Sequence, residues 1–220
     1  MSSPIVEVDD IWYPPANVLF HGDKKLRENI SSDQRKQINE AMSVAIMLVG
    51  MNKRNGSNYR LQTVRANEQT PDVRTMRLIN EGDKSDTMEF QDVEVVTLEK
   101  NSDEAVDDFL KRTKLSPKKS YPPTTVILCH LNKNVRKAKS WKQVYESLRE
   151  LDHPNEVFIL ARVDPIQHKY QLVQVNPVIG IEEYDVEEEL FSNPKQKVLK
   201  MEKGGTPYLR PNGETHIPFE

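Results

Sequence analysis

The chain has 220 residues, of which 36% are hydrophobic and 30% charged, with a formal net charge of −3. That length supports one hydrophobic core with extensions, and the slight acidity excludes the broad basic excess of a domain built mainly to neutralise phosphates. One cysteine allows no intramolecular disulfide and fits a reducing, cytoplasmic setting, while eight glycines without a phosphate-loop signature and five scattered histidines without zinc spacing argue against nucleotide-driven and zinc enzymes.

No charged stretch followed by an apolar one opens the chain, so neither export nor membrane insertion is expected. The first 30 residues hold Pro4, Pro14 and Pro15 beside short apolar clusters (Ile11, Trp12, Tyr13; Val18, Leu19, Phe20) and read as an extended N-terminal arm that packs in places. Ser32 and Asp33 then offer N-caps to a segment in which Ile38, Ala41, Met42, Ala45, Leu48 and Val49 recur at helical spacing. Residues 41–51 are almost all apolar, which predicts a helix buried around most of its circumference; the run is shorter than the about 20 residues a bilayer requires. Residues 53–58 form a loop and residues 59–66 alternate as a strand.

Residues 70–99 are the most informative. Pro71-Asp72 opens an alternating run over residues 73–79, residues 80–86 turn, and residues 88–98 alternate again, which predicts a β-hairpin. Asp92, Glu94, Val96 and Leu98 share one face of the second strand, and Val93, Val95 and Thr97 the other. The start of one hairpin strand lies beside the end of its partner, so Asp72 is expected near Asp92 and Glu94. Carboxylates held together repel unless a cation neutralises them, and a hard ion such as Mg²⁺ is the usual answer. A surface hairpin with solvated acids is the alternative for the same residues.

Asn101 and Glu104 fit a capping box before a helix with Val106, Phe109 and Leu110 on one side, ended ahead of Pro117. The apolar run of residues 124–129 suits a strand covered on both faces and completes a βαβ unit. Ser140 and Gln143 cap a second helix whose stripe is Trp141, Val144, Tyr145, Leu148 and Leu151, and Asp152-His153-Pro154 stops it. Residues 156–163 and 169–175 read as two more strands around a turn at Pro165. Beyond residue 180 an acidic block (182–189), a basic block (195–203), Gly204-Gly205 and Pro207, Pro211 and Pro218 form a charged C-terminal extension suited to docking a protein partner. The expected division is an arm (1–30), an α/β core (31–180) and this extension (181–220).

The order helix, three strands, helix, strand, helix, strands, with Pro71-Asp72 on one strand and Asp92-Val93-Glu94 on the next, resembles the PD-(D/E)xK nuclease superfamily over residues 33–175. The resemblance implies a restriction-endonuclease-like core: an α/β fold with a central mixed β-sheet flanked by helices. It further implies that Asp72, Asp92 and Glu94 hold Mg²⁺ or Mn²⁺ and activate water for phosphodiester hydrolysis. Glu40, on the helix before the sheet, is by the same resemblance a fourth catalytic carboxylate; by its residues alone it is an exposed first-turn glutamate. The superfamily's lysine is missing, because Glu94-Val95-Val96 stands where Glu-x-Lys is expected. Three possibilities follow: Asp92-Val93-Glu94 is an acid-x-Glu variant, a cation such as Lys100 or Arg74 substitutes, or there is no catalysis.

Lys133, Arg136, Lys137, Lys139 and Lys142 cluster around Trp141, and Lys111, Arg112, Lys114, Lys118 and Lys119 form a second group. Either could track the backbone of DNA or RNA toward the acids, or simply keep the domain soluble. Trp141 reads as core, and Cys129 as a buried structural thiol with His130 on the opposite face. Two functions stand: a Mg²⁺- or Mn²⁺-dependent nuclease, and a catalytically inactive protein of the same fold that binds protein or nucleic acid. An assembly component with an unrelated α/β fold is a third.

Overall fold

A computed structural model describes residues 11–63, 71–79, 87–99, 102–132, 139–164, 167–192, 199–200 and 208–209. The chain enters through strand β1 (Ile11–Trp12) and helix α1 (Pro15–Leu26). The region expected to be an extended arm is therefore partly helical. Pro15 sits in the first turn, where its missing N–H costs nothing, and Lys24 and Lys25 in the last turn suit the helix dipole. Buried Val18 and Gly22, four residues apart, face the next helix; a Cβ at Gly22 would come within 2.7 Å of the Met42 sulfur.

Helix α2 (Ser32–Asn55) starts one residue earlier than the sequence implies, because Ser31 and Gln34 form the capping box. It ends at Gly56, whose φ of 61° is the left-handed cap that glycine takes without strain. Ala41 and Ser43 through Met51 are buried, as the apolar run requires.

A seven-stranded mixed sheet, strongly curled into a half-barrel, wraps around this helix. Its strands lie side by side in chain order: β2 (Arg60–Thr63), β3 (Val73–Ile79), β4 (Thr87–Leu98), β5 (Val126–Leu131), β6 (Val157–Asp164), β7 (Lys169–Asn176) and β8 (Gly180–Asp185). Strands β3 and β4 are the expected antiparallel pair; their turn, residues 80–86, lies outside the described residues. Helices α3 (Val106–Thr113) and α4 (Trp141–Arg149) carry the chain across to give parallel β4–β5 and β5–β6 pairs, and β6–β7–β8 are antiparallel.

Alternation along these strands splits the core. Val93, Val95, Val126, Leu128, Phe158, Leu160 and Leu172 pack toward α2. Leu98, Ile127, Cys129, Ile159, Ala161, Val173 and Val175 pack toward α3 and α4. Both faces of the central strands are covered, which explains their unbroken apolar runs. Asn155, with no exposed surface, donates to the carbonyls of Pro122 (2.6 Å) and Thr125 (2.8 Å) and so fixes the entry to β5.

Several expectations need correction. Helix α3 has Ala105 as N-cap with no side-chain cap bond; Glu104 instead pairs with Arg112 at 2.7 Å, and Asn101 lies outside the described residues. Leu151 is 37% exposed, having left the buried stripe after α4 ends. The sheet runs past residue 180: Tyr184 of β8 is buried and donates to the Ile46 carbonyl at 2.8 Å, and helix α5 (Val186–Ser192) follows. The acidic block thus belongs to β8 and α5, with Lys53 of α2 opposite Glu182 and Glu189. Short strands β9 (Leu199–Lys200) and β10 (Tyr208–Leu209) join β1 in a second small sheet. Among the described residues no helix is long and apolar enough to cross a membrane.

Candidate active site

The β3–β4 register ends at the pair Val73–Val93, which puts Asp72 level with Glu94 on the neighbouring strand. There Asp72 Oδ2 accepts the Val95 N–H at 2.8 Å, so a side chain takes over where strand pairing stops. Glu94 points to the α3 side of the sheet, with its side chain 6% exposed.

Lys114 supplies the cation. It follows the last turn of α3, held in place by its N–H to the Leu110 carbonyl and by the buried side chains of Leu110 and Leu115 on either side. Its Nζ donates to Glu94 Oε2 at 2.7 Å, lies 4.0 Å from Asp72 Oδ2, and stands 6.0 Å from the centre of the Tyr121 ring. Burial works against the ammonium charge, but the hydrogen bond and charge of Glu94 and the charge of Asp72 outweigh it and hold the pKa above the usual lysine value. The same surroundings raise the Tyr121 phenol, through burial first and through Glu94 and Asp72, with Lys114 opposing.

Glu40 approaches from α2. It is in the third turn, not the first, and its side chain is 14% exposed. Burial, and then the negative charge of Asp72, push its carboxyl up to about 7; Lys36, 3.6 Å away, and Lys114 offset part of this. The exposed first-turn reading is overturned by that position and that burial.

Asp92 shares the face of Glu94 but not its surroundings. The register sets it opposite Arg74, whose Nε lies 3.5 Å from its Oδ1. Burial raises its carboxyl and Arg74 lowers it. Like-facing residues on a strand are about 6.8 Å apart, and the cross-strand arginine takes the Asp92 charge. The expected metal set of Asp72, Asp92 and Glu94 is accordingly not assembled: among the described residues no three His, Cys, Asp or Glu side chains are placed to hold a metal ion. Arg74 is engaged with Asp92, and Lys100 lies outside the described residues.

Of the first basic cluster, Lys133, Arg136 and Lys137 lie outside the described residues. Lys139 is bound to buried Asp107 at 2.8 Å, and Lys142 faces Glu146 at 3.9 Å, so neither projects an unbalanced charge. Trp141 packs against the α3–α4 core and donates to Gln171 at 2.6 Å. Cys129 is fully buried. His130, on the other face, meets Ser43 at 2.9 Å; because the Ser43 hydroxyl donates to the Asn39 carbonyl, the histidine Nδ1 is the donor. Burial keeps that ring below its usual pKa, with Glu99 opposing. This is a structural contact, with no thiol near the imidazole's polar partner.

Sequence reasoning missed Lys114 as a site residue. It had appeared only among the second group of cations, twenty positions after Glu94, and no spacing rule links a strand to the end of the following helix. Comparison with models of known families, with curated proteins and with solved structures finds no match to this chain.

Proposed function

We propose that this protein is a metal-dependent phosphodiesterase that cleaves nucleic acid, with a restriction-endonuclease-like core whose motif lysine is replaced by Lys114. The observation that carries this reading is the Lys114 ammonium, 2.7 Å from Glu94 and 4.0 Å from Asp72. An aspartate, a glutamate and a lysine from three elements meet where β3 parts from β4.

The donor set fits Mg²⁺ or Mn²⁺, which in such sites often takes one or two carboxylates and fills its shell with water and phosphate oxygens. Asp72 and Glu94 would hold it, with Asp92 left outside. When bound, the ion would supply a water of lowered pKa and positive charge at the scissile phosphate. Lys114 would orient Glu94 and face the negative charge that develops on the phosphate. Glu40, titrating at about 7, has the proton affinity of a general base at neutral pH. A reducing, cytoplasmic setting accords with the single, buried Cys129.

One observation favours a second reading, a catalytically inactive protein of the same fold that binds protein or nucleic acid. Lys114 already neutralises Glu94, and among the described residues no third acid completes a metal cage. The test is calorimetric titration of Mg²⁺ and Mn²⁺ into the protein and its Asp72→Asn variant, with cleavage of single- and double-stranded DNA and RNA followed in the same buffers. Metal binding and cleavage, both lost in the variant, establish the nuclease. Nucleic acid bound but uncut in either metal selects the second reading.

A further inference from the structure

We infer that the substrate is a single-stranded nucleic acid running from Phe90 past Asp92 toward Glu94 on β4, with a base stacked on Phe90 and flanking phosphates beside Lys118 and Lys119. This rests on the nuclease reading and adds the form of the substrate.

Phe90 precedes Glu94 by four residues on β4 and therefore shares its face, about 13 Å away at the extended rise. The ring is 48% exposed. One side rests on buried Trp12, with ring centres 5.5 Å apart, which fixes the phenyl group and leaves the remaining surface outward. The Arg74–Asp92 pair lies on the same face between Phe90 and the catalytic acids. A platform, a neutralised pair and a cluster of acids thus follow one another along the hairpin.

The segment from Lys114 to Tyr121 has both ends in the site, since the Lys114 ammonium lies 6.0 Å from the Tyr121 ring. Lys118 and Lys119 are exposed on it. The other cations of that group are committed: Lys111 to Ser147 at 2.7 Å, Arg112 to Glu104 at 2.7 Å, and Lys114 to Glu94. Lys118 and Lys119 are therefore the pair available to meet phosphates next to the site.

Duplex bases lie about 3.4 Å apart along each strand and cover one another's faces. An aromatic ring on a strand can take a base only from an unpaired nucleic-acid strand, where stacking replaces the covering neighbour. A chain of net charge −3 also lacks the basic excess typical of duplex backbone binding. Stacking with a few phosphate contacts meets that constraint.

The test uses the full-length protein and fluorescence anisotropy of labelled oligo(dT), oligo(U) and a duplex of equal length, in EDTA and in Ca²⁺. The expected result is tighter binding of a single strand than of the duplex, with the dT and U arms separating DNA from RNA. Phe90→Ala should weaken single-strand binding about tenfold and leave duplex binding unchanged. Phe90→Leu, which keeps the contact with Trp12 and with it the fold, should weaken it too, and Phe90→Trp should retain it. Lys118→Ala and Lys119→Ala should each lower the salt slope of single-strand binding by about 0.7. Parental affinity in both Phe90→Ala and Phe90→Leu, a preference for duplex, or no oligonucleotide binding overturns the inference. Cleavage in Mg²⁺ with unaffected Phe90 variants would remove this inference alone, whereas Phe90-dependent binding without cleavage would remove the nuclease reading and leave the platform standing.

Discussion

Asp107 and Glu94 are both buried carboxylates that accept a hydrogen bond from a lysine, yet their surroundings differ. Asp107, 1% exposed, accepts from Lys139 at 2.8 and 3.1 Å and from the Ser147 hydroxyl at 2.7 Å, which also receives Lys111. Burial raises its carboxyl, but the bonds from Lys139 and Ser147 overcome this and hold it below the usual aspartate range. That cluster joins α3 to α4 and leaves its acid saturated. Glu94 has Lys114 as its hydrogen-bond partner among the described residues, while Asp72 and Glu40 bring further negative charge to the same lysine. The first pair is a fastening; the second gathers more than one carboxylate about a single lysine.

The largest effect should come from emptying the second site. Glu94→Gln or Asp72→Asn should reduce Mg²⁺-dependent cleavage by at least about a hundredfold in activity assays, and Glu94→Gln should also lower the melting temperature in calorimetry, because Lys114 loses its buried, hydrogen-bonded counter-charge. Parental rates in either variant would remove that acid from the mechanism. Lys114→Met should lower cleavage by about a hundredfold and also destabilise the fold, because Glu94 is left buried beside Asp72 without its cation; adding Glu94→Gln should restore the melting temperature but not the activity. A single Lys114→Met variant as stable as the parent would mean that the pair is exposed to water in solution.

At the first site the expected loss is of stability alone. Asp107→Ala should cost about 1–3 kcal/mol in denaturant unfolding, with cleavage unchanged under conditions where the protein stays folded. The sign with pH follows from the depressed carboxyl: its contribution is complete above the ordinary aspartate range and is lost as pH falls through the lower folded value, so Asp107→Asn should flatten the acid limb of a stability profile. Glu40 should do the reverse. Its folded carboxyl, raised from 4.5 to about 7, makes the fold lose stability as pH rises between those values, and Glu40→Gln should abolish that decline. An unaltered decline would assign it to other groups. The smallest effect belongs to Lys142, exposed and 3.9 Å from Glu146 one helical turn away: Lys142→Ala should change stability by less than about 0.5 kcal/mol.

The hairpin was legible because period-two alternation fixes which residues share a face, which brings Asp72 near Asp92 and Glu94. A slip by two residues keeps that pattern, so the register that sets Asp72 level with Glu94 and Arg74 against Asp92, and with it the separate fate of Asp92, was not readable from alternation. The capping box of α4 was equally plain, since Ser140 and Gln143 act within one turn. Helix α1 was obscured by Pro14-Pro15, which mark an extended arm and a helix start alike; the buried pair Val18 and Gly22 depends on α2, and glycine carries no hydrophobic signal. Strand β8 was hidden by its acids, because Glu182 is neutralised by Lys53 from the far end of α2. Lys114 was beyond reach for the most general reason: its place beside Glu94 is set by the docking of α3, which local sequence does not encode.

On the nuclease reading, that last arrangement would decide when the chemistry could begin. In a strand-borne motif the acid and the cation appear together as soon as the hairpin forms. Here Val96 occupies the position beyond Glu94 and packs into the α3–α4 core, and the cation arrives only when Leu110 and Leu115 have seated the helix in that same core. A nascent or partly unfolded chain would carry paired acids without their lysine. On the proposed nuclease reading, competence to cut would in this way be tied to completion of the core, so that half-made molecules would be harmless to the nucleic acid around them.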